Sequence, residues 1–414
     1  MRRYKFFTAL LSTSFLLLAQ SANAATLVNT QAFLDRFFGV NTHLNNCCNG
    51  KYENTARVIS EIQYIGATHL RDGPIPMGGL IDRYKAIASA TGVKFHAVIE
   101  SGSPKRQRDC LAVIDNFLKS APGLISLIEG GNEEDTTFPK SQGATLSDTA
   151  TLQYQVYNIG QAAKVKVAQL SVGAGWAPPL WKGNYKKFGK PPADYGNAHV
   201  YSNKGEVPST SLKRIGELAA WSVNGKAVDV SEYGIFSYAQ ATPALTSAYM
   251  HIAPFSSYLY GHAYLSVYAL HDDSTGAIGF YNAQGVPRAH AHYWHATSRL
   301  LADPAGRNLP ARTANITFTN LRTVGKGVAG IKNVPMFKSN GSVWIAVYDE
   351  EQPSAAPGAE TITLDKTYPF VQVIDGRSGA TLQTLSNARQ VSINLPPNQL
   401  FFVVGTSQKV VVKL

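Results

Sequence analysis

The stretch GLISLIEGGNEED, residues 123–135, changes its chemistry at its last four positions. Its first part is mostly apolar or small, which is typical of a strand in a parallel sheet that is covered on both faces. The last four residues, Asn132 to Asp135, are one amide followed by three carboxylic acids. The stretch therefore predicts a buried strand whose carboxyl end presents several polar side chains at one place.

The same arrangement, a short β-type run followed by a helical pattern, recurs up to about residue 302. In the first helix the apolar residues at 58, 59, 62 and 65 have helical spacing, and Gly66 follows where helices commonly end. The eight predicted strands lie in residues 37–41, 67–71, 93–100, 123–131, 167–176, 196–201, 227–234 and 264–273. Eight strand–helix units in about 280 residues predict a closed (β/α)8 TIM barrel.

An open, doubly wound α/β sheet is the alternative to a barrel. Such a sheet usually has a Gly-rich phosphate turn after its first strand, but here that turn reads NTHLNNCCNG, residues 41–50, and the chain contains no P-loop pattern. From about residue 308 the helical periodicity gives way to alternation with period two, interrupted by turn residues. We therefore predict an α/β protein with a barrel over residues 25–305 and an antiparallel β-sandwich over residues 306–414.

The start of the chain predicts a secretory signal peptide over residues 1–24. A basic head, MRRYK, precedes an apolar run of about 14 residues and the small-residue site Ala22-Asn23-Ala24. A transmembrane anchor is the alternative, for which the run is short. We expect a secreted or periplasmic protein that begins near Ala25. The whole chain has a formal net charge of +11 and stays basic after removal of the signal.

Export would permit a disulfide bridge, and the chain has three cysteines, Cys47, Cys48 and Cys110. We expect Cys110 to pair with Cys47 or Cys48, which leaves one thiol. A bridge between the adjacent Cys47 and Cys48 is the strained alternative, since neighbouring Cα atoms lie closer than a relaxed bridge requires.

Two glutamates are predicted at the same end of the barrel. Glu133 follows the fourth strand and Glu232 ends the seventh, and active sites of such barrels lie at the carboxyl ends of the strands. A single acid at a strand end is commonly a capping or salt-bridge residue. A pair suits cleavage of a glycosidic bond, where one carboxyl group protonates the leaving oxygen and the other attacks the sugar or activates water. The acid would need its pKa raised from about 4.3 towards about 6–7.

The motifs GGNEED and SEYG resemble those of the clan A glycoside hydrolases, the 4/7 superfamily of retaining enzymes. The resemblance implies that Glu133 is the acid/base, that Glu232 is the nucleophile, and that Asn132 contacts the sugar 2-hydroxyl. HLRD at the second strand and NAHVY at the sixth are similar to further clan motifs, which implies substrate-site roles for Arg71, His199 and Tyr201. The region YALHDD resembles the end of the eighth strand of cellulase-like members and adds His271 as a candidate substrate contact.

The resemblance covers the barrel and leaves the exact family open. Cellulase-like members and members similar to family 39 are both compatible, and a C-terminal β-sandwich is common in the latter. Many clan members have a tryptophan at the end of the eighth strand, where this chain reads YALHDD, residues 268–273. Glu134 and Asp135 also stand where other members have apolar residues or proline.

The carboxyl ends of the barrel strands form the predicted mouth of the barrel. Other residues near this mouth give weaker indications of a functional role. His43 follows the first strand and either binds a sugar hydroxyl or is a structural histidine. Trp176, like Trp181, lies in the loop after the fifth strand and either stacks on a sugar or packs within the loop. The sequence contains no H-E-x-x-H, no paired C-x-x-C and no G-x-S-x-G, so it predicts no metal site and no serine hydrolase. No cofactor is implied.

Basic residues are frequent in and near the predicted strand-to-helix loops. These residues are Lys51, Lys105, Arg106, Arg108, Lys140, Lys182, Lys186, Lys187, Lys190 and Lys204. A mouth rimmed by one sign of charge concentrates ligands of the opposite sign, so we hypothesise an acidic polysaccharide as substrate. Ordinary solubilising charge is the alternative, and no nucleic-acid-binding motif is present.

The sequence thus predicts an exported retaining glycoside hydrolase acting on a polysaccharide or oligosaccharide. A non-catalytic polysaccharide-binding or assembly protein on the same barrel is one alternative. A transglycosylase, which would share the residues and differ in its acceptor, is another.

Overall fold

The computed structural model describes residues 24–45, 50–135, 142–143, 145–173, 186, 189–202, 206–235, 242–273, 278–320, 330–351 and 355–411. The predicted signal peptide, apart from Ala24, lies outside these residues, as do Cys47, Cys48, Trp176 and Trp181. Within the described residues, no helix is long and apolar enough to cross a membrane.

Within the part of the chain that the structure describes, nine strands precede residue 270, and eight of them form a parallel barrel. In chain order they are β1 (Ala25–Asn29), β2 (Gly39–Asn41), β3 (His69–Asp72), β4 (Lys94–Ile99), β5 (Ile125–Gly131), β6 (Lys166–Ala168), β7 (Gly196–Ser202), β8 (Val228–Ile235) and β9 (Tyr264–Val267). The barrel strands pair in the order β6-β5-β4-β3-β2-β9-β8-β7. A parallel bridge between Ala168 and Tyr195 joins the two ends of this order. The predicted TIM barrel is confirmed.

The described helices cover the barrel, and several of them begin at clear capping signals. They are α1 (Thr30–Phe37), α2 (Thr55–Ile65), α3 (Leu80–Thr91), α4 (Pro104–Ser120), α5 (Leu146–Ala163), α6 (Pro208–Ser222), α7 (Pro243–Leu259) and α8 (Ala289–Leu301). Ser103 caps α4 and Thr242 caps α7 through their hydroxyls, each with a proline at the first helical position. Gly66 ends α2 at φ 69°, in the left-handed conformation that favours glycine.

The remaining strands form a β-sandwich, as predicted. They are β10 (Arg312–Ala314), β11 (Thr317–Asn320), β12 (Gly330–Phe337), β13 (Val343–Glu350), β14 (Gly358–Asp375), β15 (Thr381–Leu395) and β16 (Leu400–Thr406). The first part of β14 pairs with β11 and its last part with β16, with a register shift against β15 between Thr363 and Tyr368. The long β14–β15 hairpin therefore passes from one layer to the other.

The first strand of the chain belongs to this second sheet. β1 pairs antiparallel with β10 and parallel with β12. The sequence did not suggest this pairing, because β1 directly precedes the first helix of the barrel. The division near residue 305 remains a prediction, with residues 25–29 placed in the second sheet by their hydrogen bonds.

Strand β13 is buried on both faces and joins the two domains. Val343, Ile345 and Val347 pack in the sandwich core, whereas Trp344 and Tyr348 pack in the larger core that includes the barrel. Alternate residues of a strand point to opposite faces, so one strand serves both cores. The sandwich is therefore packed directly on the outside of the barrel.

The predicted bridge from Cys110 to Cys47 or Cys48 is wrong. Cys110 is a free cysteine with no exposed surface, on the face of α4 that packs in the barrel core. Burial raises the pKa of its thiol to about 11, so it behaves as a small apolar side chain. The alternative bridge between Cys47 and Cys48 lies outside the described residues.

Candidate active site

The carboxyl ends of β5 and β8 bring Glu133 and Glu232 together at one mouth of the barrel. A carboxylate oxygen of each glutamate and a ring nitrogen of His199 lie within 4.8 Å of one another. The Nδ1 atom of His199 lies 2.9 Å from Glu133 Oε1 and 3.4 Å from Glu232 Oε2. The two acids predicted at the fourth and seventh barrel strands are thus neighbours that share one histidine.

A shift in strand register aims Glu232 into the mouth. Across β7 and β8, Asn197 pairs with Asp229, but His199 pairs with Glu232, so β8 has one extra residue at this point. Ser231 consequently also points inward, and its hydroxyl donates to Asn197 Oδ1 (2.6 Å). Neighbouring residues of a regular strand would point to opposite faces. Bulges of this kind re-aim side chains next to active sites.

Arg71 uses all five of its N–H groups inside the barrel. Its Nε lies 3.0 and 2.9 Å from the two carboxylate oxygens of Glu129. The Nη1 group donates to Glu232 Oε1 (2.7 Å) and Asn41 Oδ1 (2.9 Å). The Nη2 group donates to Asn132 Oδ1 (2.8 Å) and faces His199 Nε2 at 3.4 Å. Five N–H groups are the full donor capacity of a guanidinium.

Burial opposes the charge of Arg71, but Glu129 and Glu232 outweigh this and raise its pKa above the usual value. The cation is therefore permanent, and its fork holds the nucleophile candidate Glu232 on one side. The second oxygen of Glu232 accepts the hydroxyl of Tyr201 (2.6 Å). Glu232 is 6% exposed, so both of its oxygens are held by protein donors in a nearly closed space.

Glu133 is held in an unusual backbone conformation at the end of β5. Its φ is 47°, in the left-handed region that few residues other than glycine adopt. Its N–H donates to the hydroxyl of Ser171 (2.9 Å), which fixes this turn. A third of its side chain is exposed towards the mouth. A strained residue that the surroundings hold in place is common at active sites.

The pKa of Glu133 lies below its ordinary value in this state. Burial alone would raise it, but the hydrogen bond from His199 and the charge of Arg71 outweigh burial. The partners indicate the tautomer of the ring: Nδ1–H donates to Glu133, and Nε2 accepts from Arg71. The expectation that the site raises the pKa of this acid is therefore wrong for the arrangement seen here.

The other two acids of the opening stretch turn away from the mouth. Glu134 is 2% exposed, and both of its oxygens accept from Gln107 Nε2 at 2.8 and 2.9 Å. Burial raises its pKa to about 7, against the hydrogen bonds of Gln107 and Thr149. Asp135 accepts the N–H of Gly173 (2.6 Å). Of the three consecutive acids, Glu133 therefore faces the mouth, whereas Glu134 and Asp135 accept hydrogen bonds that hold the loop in place.

Tyr268 lies at the end of the eighth barrel strand, where the resemblance led us to expect a tryptophan. Its hydroxyl donates to Asp273 Oδ2 (2.5 Å) and lies 3.1 Å from His43 Nε2. Its ring lies 6.3 Å from that of Tyr201, which binds Glu232. His43, Tyr268 and Asp273 are all half-buried. His43 therefore lies at the mouth, where its interpretation as a contact to a sugar hydroxyl would place it. The polar contacts that join His43, Tyr268 and Asp273 were not evident from the sequence.

His271 does not reach the mouth, and its prediction as a substrate contact is wrong. Its side chain has no exposed surface, and Nε2 lies 2.8 Å from Glu61 Oε2 on α2. Its other ring nitrogen faces Arg57 at 3.4 Å. The position directly after the strand end turns outwards towards the helix layer, and the ring follows it. Trp176 lies outside the described residues.

Sequence reasoning missed Glu129, which is completely buried behind Arg71. Asn197 Nδ2 donates to its Oε2 (3.1 Å) in addition to the contact with Arg71. The available signal was a charged residue inside the apolar run LISLIEGG, since such a residue is buried only when it is paired. Asn41, which accepts from Arg71 and donates to the carbonyl of Ser231 (2.9 Å), gave no comparable signal.

Within the described ranges, Glu133, His199 and Glu232 are the group whose ligand atoms lie close enough to hold a metal ion. The guanidinium of Arg71, 2.7 Å from Glu232, already supplies a positive charge there. A cation would also have to displace the proton with which His199 binds Glu133. The donor set therefore fits proton transfer and nucleophilic attack better than metal binding.

Several of the predicted rim cations are engaged or lie elsewhere. The ammonium of Lys51 donates to the carbonyl of Asp272, and Lys105 pairs with Asp109 at 2.7 Å. Lys190 lies at the opposite end of the barrel, because its Nζ donates to the carbonyl of Trp221 (3.0 Å) near the end of α6. Its assignment to the rim is wrong. Lys140, Lys182, Lys187 and Lys204 lie outside the described residues.

Comparison with known proteins shows which solved structures share this fold. No protein-family model matches the chain, and no curated protein matches it. Among solved structures, a family 39 glycoside hydrolase from the gut symbiont Bacteroides cellulosilyticus WH2 has a TM-score of 0.60 at 14% identity, over 90% of this chain and 82% of that one. The chain has the fold of the clan A glycoside hydrolases.

Two further structures have the same fold over nearly the whole length of both proteins. A glucosidase from Croceicoccus marinus has a TM-score of 0.57 at 11% identity, over 92% of this chain and 97% of that one. A family 30 subfamily 8 xylanase from Clostridium acetobutylicum has a TM-score of 0.56 at 11% identity, over 92% and 96%. The resemblance to clan A is thus confirmed for the fold, and the exact family stays unassigned.

Proposed function

We propose that this protein is a retaining glycoside hydrolase that cleaves a polysaccharide or oligosaccharide by double displacement. The observation that carries the proposal is the pair Glu133 and Glu232, whose carboxylate oxygens approach within 4.8 Å. Retaining enzymes place their two carboxyl groups about 5–5.5 Å apart, whereas inverting enzymes leave about 6.5–9.5 Å for a water molecule. Oxygens this close support the retaining arrangement, in which one carboxylate attacks the anomeric carbon directly.

In the first step Glu232 attacks the anomeric carbon, and the bond to the leaving oxygen breaks as Glu133 gives that oxygen its proton. Arg71 and Tyr201 hold one oxygen each of Glu232, which aims the attacking carboxylate. In the second step Glu133 removes a proton from water, which attacks the anomeric carbon and releases Glu232. The sugar leaves with its original configuration because the carbon is inverted twice.

Glu133 must carry a proton when the substrate is bound, although its pKa is lowered in the unliganded site. A sugar seated between the two acids would compete for the hydrogen bond that His199 makes to Glu133 and would exclude water. Both changes raise the pKa of a carboxyl group. Once Glu232 is esterified its negative charge is gone, so the pKa of Glu133 falls again, as its role as base requires.

Substitution of each acid with azide present tests the proposal. Glu232→Gly removes the nucleophile, and azide that enters the vacated space should give a glycosyl azide of inverted configuration. Glu133→Ala should slow substrates with poor leaving groups, spare the first step for activated aryl glycosides, and give an azide of retained configuration. Exchanged products would mean exchanged roles. Activity that falls less than about a hundredfold in both variants would favour the polysaccharide-binding alternative.

An anionic polymer remains the proposed substrate class for the outer part of the mouth, because many lysines occur in the surrounding loops. Raising the salt concentration should then weaken binding, since the screening length falls to about 8 Å at physiological ionic strength. Reversal of Lys105 and Arg106 to glutamate should raise KM, because both lie in the first turn of α4, just after the carboxyl end of β4. A KM that does not respond to salt would leave these basic residues as solubilising charge. Export through the predicted signal peptide is likewise a proposal, tested by the N-terminus of the protein recovered outside the cytoplasm.

A further inference from the structure

The five contacts of Arg71 limit the kind of sugar that the catalytic subsite can hold. Resting on the proposed function, we infer that the ring attacked by Glu232 is an uncharged sugar, without a carboxylate or another acidic group. The inference concerns this one subsite. Acidic units elsewhere in a polymer would lie against the outer loops.

Among the residues that the structure describes, Arg71 is the buried cation next to the two acids, and an acidic sugar would need such a group as its partner. Every N–H of its guanidinium is already directed at a protein acceptor: Glu129, Glu232, Asn41, Asn132 or His199. Arg71 is only 4% exposed, so a substrate carboxylate could reach it only by displacing one of these acceptors. Displacing Glu232 would remove the nucleophile itself.

The charges around Arg71 also disfavour an anion. Its single positive charge is shared between Glu129 and Glu232, so this buried trio carries a net negative charge. Charges that are shielded from water interact more strongly than exposed ones, so a sugar carboxylate would be repelled.

The half-buried groups around the pair suit hydroxyls. The amide of Asn132 is fixed by Arg71 at its oxygen, which leaves its NH2 group as a donor. Asp273 and His43 flank the hydroxyl of Tyr268 from two sides and offer further polar atoms. Neutral sugar rings present hydroxyls that both donate and accept, which matches this mixture.

Matched aryl glycosides that differ at one carbon test the inference. The full-length mature chain would be assayed on 4-nitrophenyl glucoside, xyloside and glucuronide, and on the galactoside and galacturonide pair. We expect kcat/KM to be at least about tenfold higher for the neutral member of each cleaved pair. For cleaved polysaccharides, the sugar at each new reducing end is the one that occupied this subsite, and it should be neutral. Equal or faster cleavage of the uronides, or uronic acids at the new reducing ends, would overturn the inference.

A variant that removes one negative charge near the subsite shows whether charge repulsion, rather than the shape of the subsite, disfavours the uronides. Glu129→Gln removes one negative charge behind Arg71 without touching the substrate, so the ratio of uronide to neutral kcat/KM should rise, whatever the overall loss. Glu134→Gln is the matched control at pH 6, where this buried acid, with its pKa near 7, is already mostly neutral. A ratio that responds equally to both variants would contradict the inference. Failure of the proposed function would look different, as hydrolysis that survives Glu232→Gln and Glu133→Gln or as no cleavage of either class.

Discussion

A half-buried glutamate lies at the mouth of the barrel and a fully buried one at the contact with the sandwich, and their pKa values are shifted in opposite directions. At the mouth, His199 and Arg71 lower the pKa of Glu133 against the effect of burial. At the contact, Glu350 at the end of β13 is completely buried, and burial raises its pKa to about 7. Its oxygens accept the N–H of Ser209 (2.7 Å), the hydroxyl of Ser209 and the hydroxyl of Ser256 (3.4 Å).

The difference shows that burial alone does not decide the charge of an acid. The permanent cation of Arg71 and the ring N–H of His199 at hydrogen-bond distance favour the ionised form of Glu133, while hydroxyl and amide donors around Glu350 compensate burial only in part. The mouth therefore holds an ionised carboxylate that can take part in a reaction. The domain contact holds an acid that is neutral over much of the acidic range.

Removing the cation from the mouth should have the largest effect. Arg71→Met leaves Glu129 and Glu232 buried without their partner, so we expect the free energy of unfolding to fall by about 3–5 kcal/mol and the activity to be lost. Urea denaturation measures the first and turnover the second. The double variant Arg71→Met with Glu129→Gln should regain part of the stability, because one of the two stranded charges is then gone.

Arg307→Met provides the matched control for this loss. Arg307 pairs with Asp35 at 2.6 Å, but 56% of its side chain is exposed. Exposed pairs contribute about 0–1 kcal/mol, so this variant should unfold almost like the native protein. Similar losses in both arginine variants would mean that burial of the pair at the mouth is not what makes it important.

Replacing His199 should have a smaller effect and a clear direction. His199→Phe removes the hydrogen bond that lowers the pKa of Glu133, so that pKa should rise. An acid catalyst is active while it is protonated, so the basic limb of the pH profile of kcat/KM should move to higher pH. His199→Asn, which keeps a neutral donor, should lie between the two. A limb that stays in place or moves to lower pH in His199→Phe would contradict this cause of the shift.

The strand–helix order, the sandwich and the two acids at the mouth followed from the sequence because each depends on local pattern. Period-two and helical spacing predict elements, and parallel strands place their ends together. The direction of a side chain after a strand end does not follow from such patterns. His271 turns to Glu61 and Glu134 turns to Gln107, although both lie within a few residues of a strand end at the mouth.

Contacts between distant parts of the chain were also beyond sequence reasoning. Cys110 faces the barrel core, and β1 joins the second sheet, because of packing that involves residues far away in sequence. The pKa of Glu133 was predicted in the wrong direction for the same reason. It depends on His199, a residue 66 positions away that one register shift brings opposite Glu232.

Removing the acid at the domain contact should give the smallest effect, and only at higher pH. The folded state holds a proton on Glu350 up to about pH 7, whereas an unfolded glutamate releases it near about pH 4.3. The stability that comes from this proton is therefore complete below about pH 4.3 and is lost progressively as the pH rises through 7.

Glu350→Gln keeps neutral hydrogen-bonding groups and does not titrate. We expect its Tm to gain a few degrees relative to the native protein between about pH 4.5 and 7.5. Glu134 and Glu360 also have pKa values raised to about 7 by burial, but they titrate in both proteins and cancel in the difference. A Tm difference that does not change with pH would mean that Glu350 is ionised in the folded protein, and the contrast with the mouth would then fail.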